Sequence, residues 1–350
     1  MSATIETAEV TRTHIPTAGP MPHTDEWYAL RSLDVSRTTR PVVLGASDAA
    51  AVCGLSPYST PLHLYLEKRG ELSKEFSDEQ QERMAFGLKL EPIVLDAYAL
   101  RMGVAVESDE PMFFHPEHDW MACTPDGIAH EHGSDEEWGV ECKCTTWRMY
   151  DAHGDSEDAF GEDGTDQVPT VYLLQGHWQM AVMGWDRVDF PVLFDGSKLR
   201  VYSIRRNEDI IEQLIQSGKN LMEQILAGTP PDPEWSHDGT AGAIRALYGF
   251  NAETDAVELD DSHEALWWQY KELGATIKEI EAKKSEIHNR LLASFRGAAV
   301  AEFPNGQKLK RSVIADSYVT EEDVVKFAER VGEVKRKGHE RLSGPRKRKD

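Results

Sequence analysis

Residues 124–144 read TPDGIAHEHGSDEEWGVECKC, two short motifs separated by an acidic segment. The motifs are Thr124-Pro125-Asp126-Gly127 and Val140-Glu141-Cys142-Lys143-Cys144. Side chains two residues apart in a strand share a face, so Glu141 and Lys143 are predicted to face a cleft. The small residues of the same strand are predicted to face the core, namely Val140, Cys142 and Cys144. If a strand ending at Asp126 lies beside this one, two carboxylates and an ammonium group converge.

Such a convergence suits phosphodiester hydrolysis. Magnesium prefers hard oxygen ligands and keeps several waters, so Asp126, Glu141 and the backbone carbonyl of Cys142 form a suitable open site. A metal there would stabilise charge on a phosphate, while Lys143 would orient a water and add positive charge. The alternative is that Glu141 and Lys143 are a surface charge pair and that Asp126 belongs to an ordinary Asp-Gly turn.

Two predicted helices carry further polar candidates. Glu91 lies at the edge of an apolar stripe on a helix predicted over 78–102. It is a solvated residue, a neutralised core acid or a second-metal ligand. On a helix opened by Pro169, three polar side chains are spaced by three and four and form one stripe, Tyr172, Gln175 and Gln179. That stripe faces either water or a substrate bound at the preceding strand, which carries Glu141 and Lys143.

The order of predicted elements favours an α/β (α+β) fold with a mixed β-sheet flanked by helices. Strands are predicted over 112–114, 120–124, 138–146, 188–194 and 200–204. Ser47 is predicted to cap a helix over 48–53, Thr60 a helix that starts at Pro61, and Asn207 an amphipathic helix ended by Gly228. The acidic insert over 151–166 is predicted to be a mobile loop.

The chain divides by composition into five segments. These are a disordered N-terminus over 1–24, a core over 25–229, a linker over 230–261, a helical extension over 262–334 and a basic tail over 335–350. The extension begins with a long helix whose apolar residues follow alternating steps of four and three, interrupted by Lys284. Those apolar residues are Leu266, Tyr270, Leu273, Ile277, Ile280, Ile287 and Leu291. A hairpin around Pro304-Asn305-Gly306 and a helix capped by Thr320 are predicted to follow.

Composition and charge limit the kinds of protein that this chain can be. The net charge of −23 is unusual for a DNA-binding protein, but much of the acid lies in the predicted loops 130–137 and 151–166. Apolar runs are too short for a membrane span, and no secretory signal is visible, which favours a soluble cytoplasmic protein without a membrane partner. The four cysteines fit reduced thiols better than a disulfide framework.

From about Trp27 to Gly228 the sequence resembles the YqaJ-type viral recombinase family, relatives of phage lambda exonuclease within the PD-(D/E)XK nuclease superfamily. Four pieces match in order. They are Glu26 to Arg31 with Gly45 to Ala50, Gly87 to Glu91, Thr124 to Gly127 with Glu141-Cys142-Lys143, and Tyr172 to Gln175. The ordered set is specific, although each piece alone is weak.

The resemblance implies a restriction-endonuclease-like fold and a 5′-to-3′ exonuclease acting on double-stranded DNA. The enzyme would use Mg²⁺, with Mn²⁺ able to substitute, and would leave a 3′ single strand for an annealing protein in DNA recombination. A homo-oligomer is possible, and a phage-encoded chain would work in the host cytoplasm.

The resemblance also implies roles for individual residues. Asp126 and Glu141 are metal ligands, Lys143 is the catalytic lysine and Glu91 is the helix acid of the site. The remaining roles concern DNA: Tyr172 and Gln175 belong to the motif after the lysine, and Arg31 with Ser47 to a 5′-phosphate pocket.

Two alternatives remain open at the level of sequence. One is a related nuclease with an iron–sulfur cluster, which needs four converging cysteine thiolates. The other is a zinc-stabilised nucleic-acid-binding module, for which the candidate ligands are Cys123, His130, His132, Cys142 and Cys144. Endonuclease activity on the same fold also stays open.

Overall fold

The computed structural model describes residues 15–31, 42–73, 77–151, 156, 158–249 and 256–312. The chain divides into two compact units, Met1–Glu253 and Thr254–Asp350. The helices of the first unit are α1 (Asp25–Leu30), α2 (Ala49–Val52), α3 (Pro61–Lys68), α4 (Asp78–Met102), α5 (Thr170–Met183), α6 (Glu208–Ala227) and α7 (Thr240–Tyr248). Its strands are β1 (Thr17–Ala18), β2 (Ala105–Glu107), β3 (Phe113–Phe114), β4 (Ala122–Cys123), β5 (Gly127–His130), β6 (Glu137–Val140), β7 (Lys143–Thr145), β8 (Arg187–Phe194) and β9 (Lys198–Arg205).

A mixed sheet of six strands forms the centre of the described part of this unit. Strands β2, β5 and β6 pair antiparallel, β6 and β7 both run parallel to β8, and β9 pairs antiparallel with β8. Val140 is opposite Asp189 and Lys143 is opposite Val192, the same register, so β6 and β7 are two parts of one strand. The predicted mixed sheet is confirmed.

Helices pack on both faces of the sheet. On one face α5 lies so close that a Cβ added at Gly176 would sit 2.4 Å from Cδ1 of Ile204 in β9. On the other face α4 contributes Leu95 and Tyr98 to a buried cluster with Val140 and Val201. The strand that carries Glu141 and Lys143 therefore lies inside a layered α/β fold.

Local signals explain where the main helices begin and end. The side chain of Ser77 accepts from the backbone of Gln80 at the start of α4, and Gly103, with φ of 68°, ends it. Gly184 ends α5 in the same left-handed conformation, and Asn207 caps α6. These boundaries agree with the predicted ones.

The prediction that Ser47 caps the next helix was wrong. Residues Ala46–Asp48 form a 3-10 turn, and Asp48 is the residue that precedes α2. The buried Asp48 carboxylate accepts from the backbone nitrogen of Gly45 at 3.0 Å and lies 2.8 Å from Nζ of Lys68. Asp48 is therefore held in the interior, and Ser47 is left exposed within the turn.

Three expectations about irregular segments need correction. Within the predicted disordered start, Thr17–Ala18 pair with Phe113–Phe114, while residues 1–14 lie outside the described residues. Within the predicted linker 230–261, α7 packs on α3, and Nε2 of His63 lies 3.1 Å from the carbonyl oxygen of Gly239. In the insert expected to be mobile, Phe160 is fully buried and contributes to the core.

The second unit contains α8 (Asp261–Ser294) and a hairpin of β10 (Val300–Glu302) and β11 (Lys308–Lys310). Both elements agree with the prediction for this region. The helix predicted after Thr320 and the basic tail lie outside the described residues. None of the described helices is long and apolar enough to cross a lipid bilayer.

Candidate active site

The hairpin of β5 and β6 brings two acidic residues together. Gly127 pairs with Val140 in antiparallel register, so Asp126, which precedes one, and Glu141, which follows the other, are neighbours at the same end. The predicted strand ending at Asp126 was wrong, because β4 ends at Cys123 and Asp126 instead directly precedes β5. Oδ2 of Asp126 accepts from the backbone nitrogen of Cys142 at 2.7 Å.

Glu141 is buried, at 5% exposure, and is held by three donors. Nζ of Lys143 lies 2.5 Å from Oε1, and Nε2 of Gln175 donates to the same oxygen at 2.6 Å. Nε2 of Gln179 donates to Oε2 at 2.6 Å. The polar stripe of α5 thus lies against the carboxylate and does not face water.

Lys143 lies between this carboxylate and an aromatic ring. Its Nζ is 5.1 Å from the ring centroid of Tyr172, which stacks on Phe160 at 5.5 Å. Burial alone would lower the pKa of Lys143, but the charges of Glu141 and Asp126 outweigh burial and raise the pKa above its ordinary value. Lys143 is therefore charged at neutral pH.

The carboxyl groups of the site share one region of negative charge. Burial, followed by the charge of Glu141, raises the pKa of Asp126 well above its ordinary value. The same two causes raise the pKa of Glu91, a half-buried residue of α4, and the charge of Lys143 partly offsets them. Glu91 is thus electrostatically part of the site that contains Asp126 and Glu141.

The donor set suits a hard divalent cation that also takes water or backbone ligands. A carboxylate offers about four lone-pair positions, so three donors leave Glu141 about one position for a further ligand. The carboxylate of Asp126 faces the same region. The single positive charge of Lys143 does not balance the negative charge of the acidic side chains. In the described ranges, no three His, Cys, Asp or Glu side chains are close enough to hold a metal by themselves.

The cysteines do not form a cluster in the described residues. Cys123 is buried, Cys142 is half-buried and Cys144 is exposed, so the expectation that Cys144 packs in the core was wrong. The arrangement favours neither the iron–sulfur nor the zinc alternative.

Arg31 and Ser47 meet in a cavity next to Glu141. The cavity has a volume of about 160 Å³ and is also lined by Gln175. Nη2 of Arg31 donates to Oγ of Ser47 at 3.4 Å, and its guanidinium carbon lies 4.6 Å from the ring centroid of Trp27. Ser47 lies inside the 3-10 turn and α2 begins only at Ala49, so Ser47 is not at a helix N-terminus.

A second cavity of about 400 Å³ adjoins the first. Trp27 and Thr124 line both cavities, and Glu91 and Asp126 line the second. Nε1 of Trp27 donates to Oγ1 of Thr124 at 3.3 Å, which fixes the indole at the boundary. The candidate acids and the candidate phosphate-binding residues thus lie along one continuous cleft.

Sequence patterns did not identify the ion pair beneath this cleft. Lys68 and Asp48 are almost fully buried and support the turn that carries Ser47. Lys68 lies in an ordinary amphipathic helix, and nothing in its sequence context indicates a buried charge.

Comparison with known proteins agrees with the motifs. Residues 27–186 match the model of the YqaJ-like viral recombinase domain. The chain is 26% identical over 326 residues to the uncharacterized protein YqaJ of Bacillus subtilis strain 168, covering 91% of this chain and 93% of that protein. The resemblance to the YqaJ-type family is confirmed, and the match agrees with the predicted DNA nuclease.

Two solved structures show a weaker likeness. One is the alkaline exonuclease LHK-Exo of Laribacter hongkongensis, with a TM-score of 0.40 and 20% identity. The other is LHK-Exo in complex with dAMP, with the same TM-score and 19% identity. Each match covers 53% of this chain and 89% of the solved chain.

Proposed function

We propose that this chain is a metal-dependent 5′-to-3′ exonuclease of double-stranded DNA, because residues 27–186 match the model of the YqaJ-like viral recombinase domain. The observation that carries the proposal is the meeting of Asp126 and Glu141 at the end of the β5–β6 hairpin, with Lys143 beside them. A carboxylate pair with one adjacent ammonium group suits hydrolysis of a phosphodiester.

Asp126 and Glu141 are the side chains that would hold a divalent cation, together with the backbone carbonyl of Cys142. Mg²⁺ is the favoured ion because all of these ligands are hard oxygens, and Mn²⁺ is expected to substitute. When bound, the cation supplies Lewis-acid stabilisation of the phosphate. Glu91 is the candidate for a second contact in the same cleft.

The other residues position groups and balance charge. Lys143 stays protonated and adds positive charge where a phosphate gains negative charge. Gln175 and Gln179 fix both oxygens of Glu141, so the carboxylate keeps one orientation without a substrate. Tyr172 covers Lys143 from the side of α5 and limits access of water to the ion pair.

The cavity that Arg31 and Ser47 line supports the 5′-to-3′ direction of digestion. A guanidinium presents a planar fork that suits a terminal phosphate, and the Ser47 hydroxyl adds another donor. The cavity also reaches Glu141, so a 5′ phosphate bound there would place the adjoining phosphodiester near the acids. Digestion from the 5′ end leaves a 3′ single strand, the substrate of an annealing protein.

Digestion of linear duplex DNA with Mg²⁺ tests this proposal, with label on either the 5′ or the 3′ end of one strand. We expect early release of the 5′ label as mononucleotide, late release of the 3′ label, and no cleavage of closed circular DNA. Early release of the 3′ label would contradict the direction. Efficient nicking of the circle would contradict an exonuclease.

A further inference from the structure

Helix α8 carries a long apolar stripe that is exposed to solvent. None of its 34 residues is buried. Seven large apolar side chains of the stripe are between 41% and 61% exposed: Leu266, Tyr270, Leu273, Ile277, Ile280, Ile287 and Leu291. We define these seven residues and Lys284 as the seam. An exposed apolar surface of this length is typical of an interaction site.

The spacing of the seam identifies the kind of partner. Its eight positions follow steps of 4-3-4-3-4-3-4, a period of 3.5 residues that places them at successive a and d positions of a heptad repeat. A repeat kept over more than three heptads is typical of a helix that packs along another helix. A straight helix on a globular core would follow a period nearer 3.6.

We propose that the seam binds the seam of a second copy of this chain, as an antiparallel coiled coil. The steps read the same from both ends, so two reversed copies match at every position. Leu266 lies opposite Leu291 of the second copy, Tyr270 opposite Ile287, Leu273 opposite Lys284 and Ile277 opposite Ile280. Each a position then meets a d position about a two-fold axis, as a closed homodimer requires.

Charge favours the reversed orientation over a parallel one. In a parallel pair in register, Lys284 would face Lys284 inside the interface, and Lys283 would lie beside His288 of the other helix. In the reversed pair Lys284 faces Leu273, against which its alkyl chain packs while its ammonium group reaches water. The reversed pair also places each helix N-terminus beside a C-terminus, so that the two helix dipoles attract each other.

A cavity at the end of α8 gives independent support. It has a volume of about 280 Å³ and lies between α8 and the hairpin, lined by His288, Leu291, Leu292, Phe295 and Leu309. In the reversed pair, Trp267 of the second copy comes beside His288 and Leu291. The cavity, whose lining also includes Lys310, Arg311 and Ser312, thus lies where the arrangement supplies a large aromatic side chain.

The mass of the full chain in solution, measured by light scattering after gel filtration, tests the proposal. The seam variant carries Ile277→Glu and Ile280→Glu, and the control carries Ala275→Glu and Ala282→Glu on the opposite face of the helix. Wild type and control are expected to show twice the mass of the seam variant. Ile280→Glu alone repeats the test if the double variant does not fold, as judged by circular dichroism.

Leu273→Glu tests the orientation. In the reversed pair this glutamate faces Lys284 of the second copy, whereas in a parallel pair it faces another glutamate. We expect Leu273→Glu to keep the doubled mass at a concentration at which Ile280→Glu has lost it. Equal loss in both variants would overturn the antiparallel arrangement.

A wild-type chain with the mass of one copy would overturn the proposal. The seam would then be covered by the chain's own residues or by a different protein. A seam variant with the same mass as the wild type would overturn it as well. Neither result bears on nuclease activity, because the mass is measured without DNA or metal.

Discussion

Nε2 of Gln179 lies 2.6 Å from Oε2 of Glu141, and Gln175, one helical turn earlier, donates to the other oxygen of the same carboxylate. The two glutamines therefore hold Glu141 from α5, while Glu141 itself belongs to the strand that β6 and β7 form. This contact joins a helix and a strand at the proposed metal site. It makes the orientation of one acid depend on the packing of α5.

Replacement of Gln179 by leucine tests the positioning role. The variant loses a hydrogen bond to a charged group, worth about 1.5 to 3 kcal/mol, so we expect turnover to fall roughly ten- to a hundredfold. Steady-state hydrolysis of linear duplex at saturating Mg²⁺ measures the change. Gln216→Leu, on the exposed face of α6, is the matched control and should keep wild-type turnover. Unchanged turnover in Gln179→Leu would show that Gln175 and Lys143 suffice.

Arg31→Ala tests the proposed binding of a 5′ phosphate in the cavity of Arg31 and Ser47. The lost contact is charge-assisted, and we expect digestion of 5′-phosphorylated duplex to slow by roughly ten- to a hundredfold, or about 1.5 to 3 kcal/mol. Duplex with a 5′ hydroxyl should be affected little, because it cannot use that contact. Arg83→Ala, an exposed change on α4, is the control. An equal loss on both kinds of end would make Arg31 a structural residue.

Asp126→Asn tests the charge balance through protein stability. In the folded chain, burial and the charge of Glu141 raise the pKa of Asp126, so between the unfolded value of about 3.9 and the raised value the folded state binds more protons. Wild type is therefore expected to lose stability relative to Asp126→Asn as pH rises through this window. Urea unfolding without metal at several pH values measures the difference.

Magnesium is expected to reverse that difference. A cation that binds the folded chain but not the unfolded one raises the free energy of unfolding, and Asp126→Asn removes one of its ligands. The thermal midpoint of wild type should therefore rise with Mg²⁺ near neutral pH, and that of the variant should not. Asp96→Asn, an exposed change on α4, should respond like wild type. An equal response of Asp126→Asn would place the metal elsewhere.

Truncation tests the boundary of the first unit. Thr240 and Ala243 of α7 are buried, and His63 of α3 contacts the backbone of Gly239. A chain that ends after residue 229 loses this packing and is expected to unfold at a lower urea concentration than one that ends after residue 253. Equal midpoints would mean that α7 contributes nothing to the core.

Local signals in the sequence were sufficient for several elements. Both ends of α4 follow from Ser77 and Gly103, and the start of α6 follows from Asn207, because caps act within a few residues. The fold class followed from the order of such elements. Strand β5 was missed because its four residues, Gly127–His130, are too few to show alternation.

Long-range contacts were beyond the sequence. The parallel pairing of β7 with β8 joins Lys143 to Val192, and no local pattern encodes that register. The direction of the stripe on α5 was open for the same reason, since Gln179 could equally have faced water. The ion pair of Lys68 and Asp48 forms only where two segments of the chain meet. The sequence of either segment alone therefore does not indicate that the pair is buried.

The most direct test of the proposed site is Mg²⁺-dependent hydrolysis of linear duplex DNA by wild type and by Lys143→Met. Methionine keeps most of the side-chain volume and removes the charge, so thermal unfolding before and after the change reports separately on the fold. We predict hydrolysis by wild type that stops when Mg²⁺ is chelated, and no detectable hydrolysis by a folded Lys143→Met. Wild-type rates in Lys143→Met would contradict the assignment of the active site.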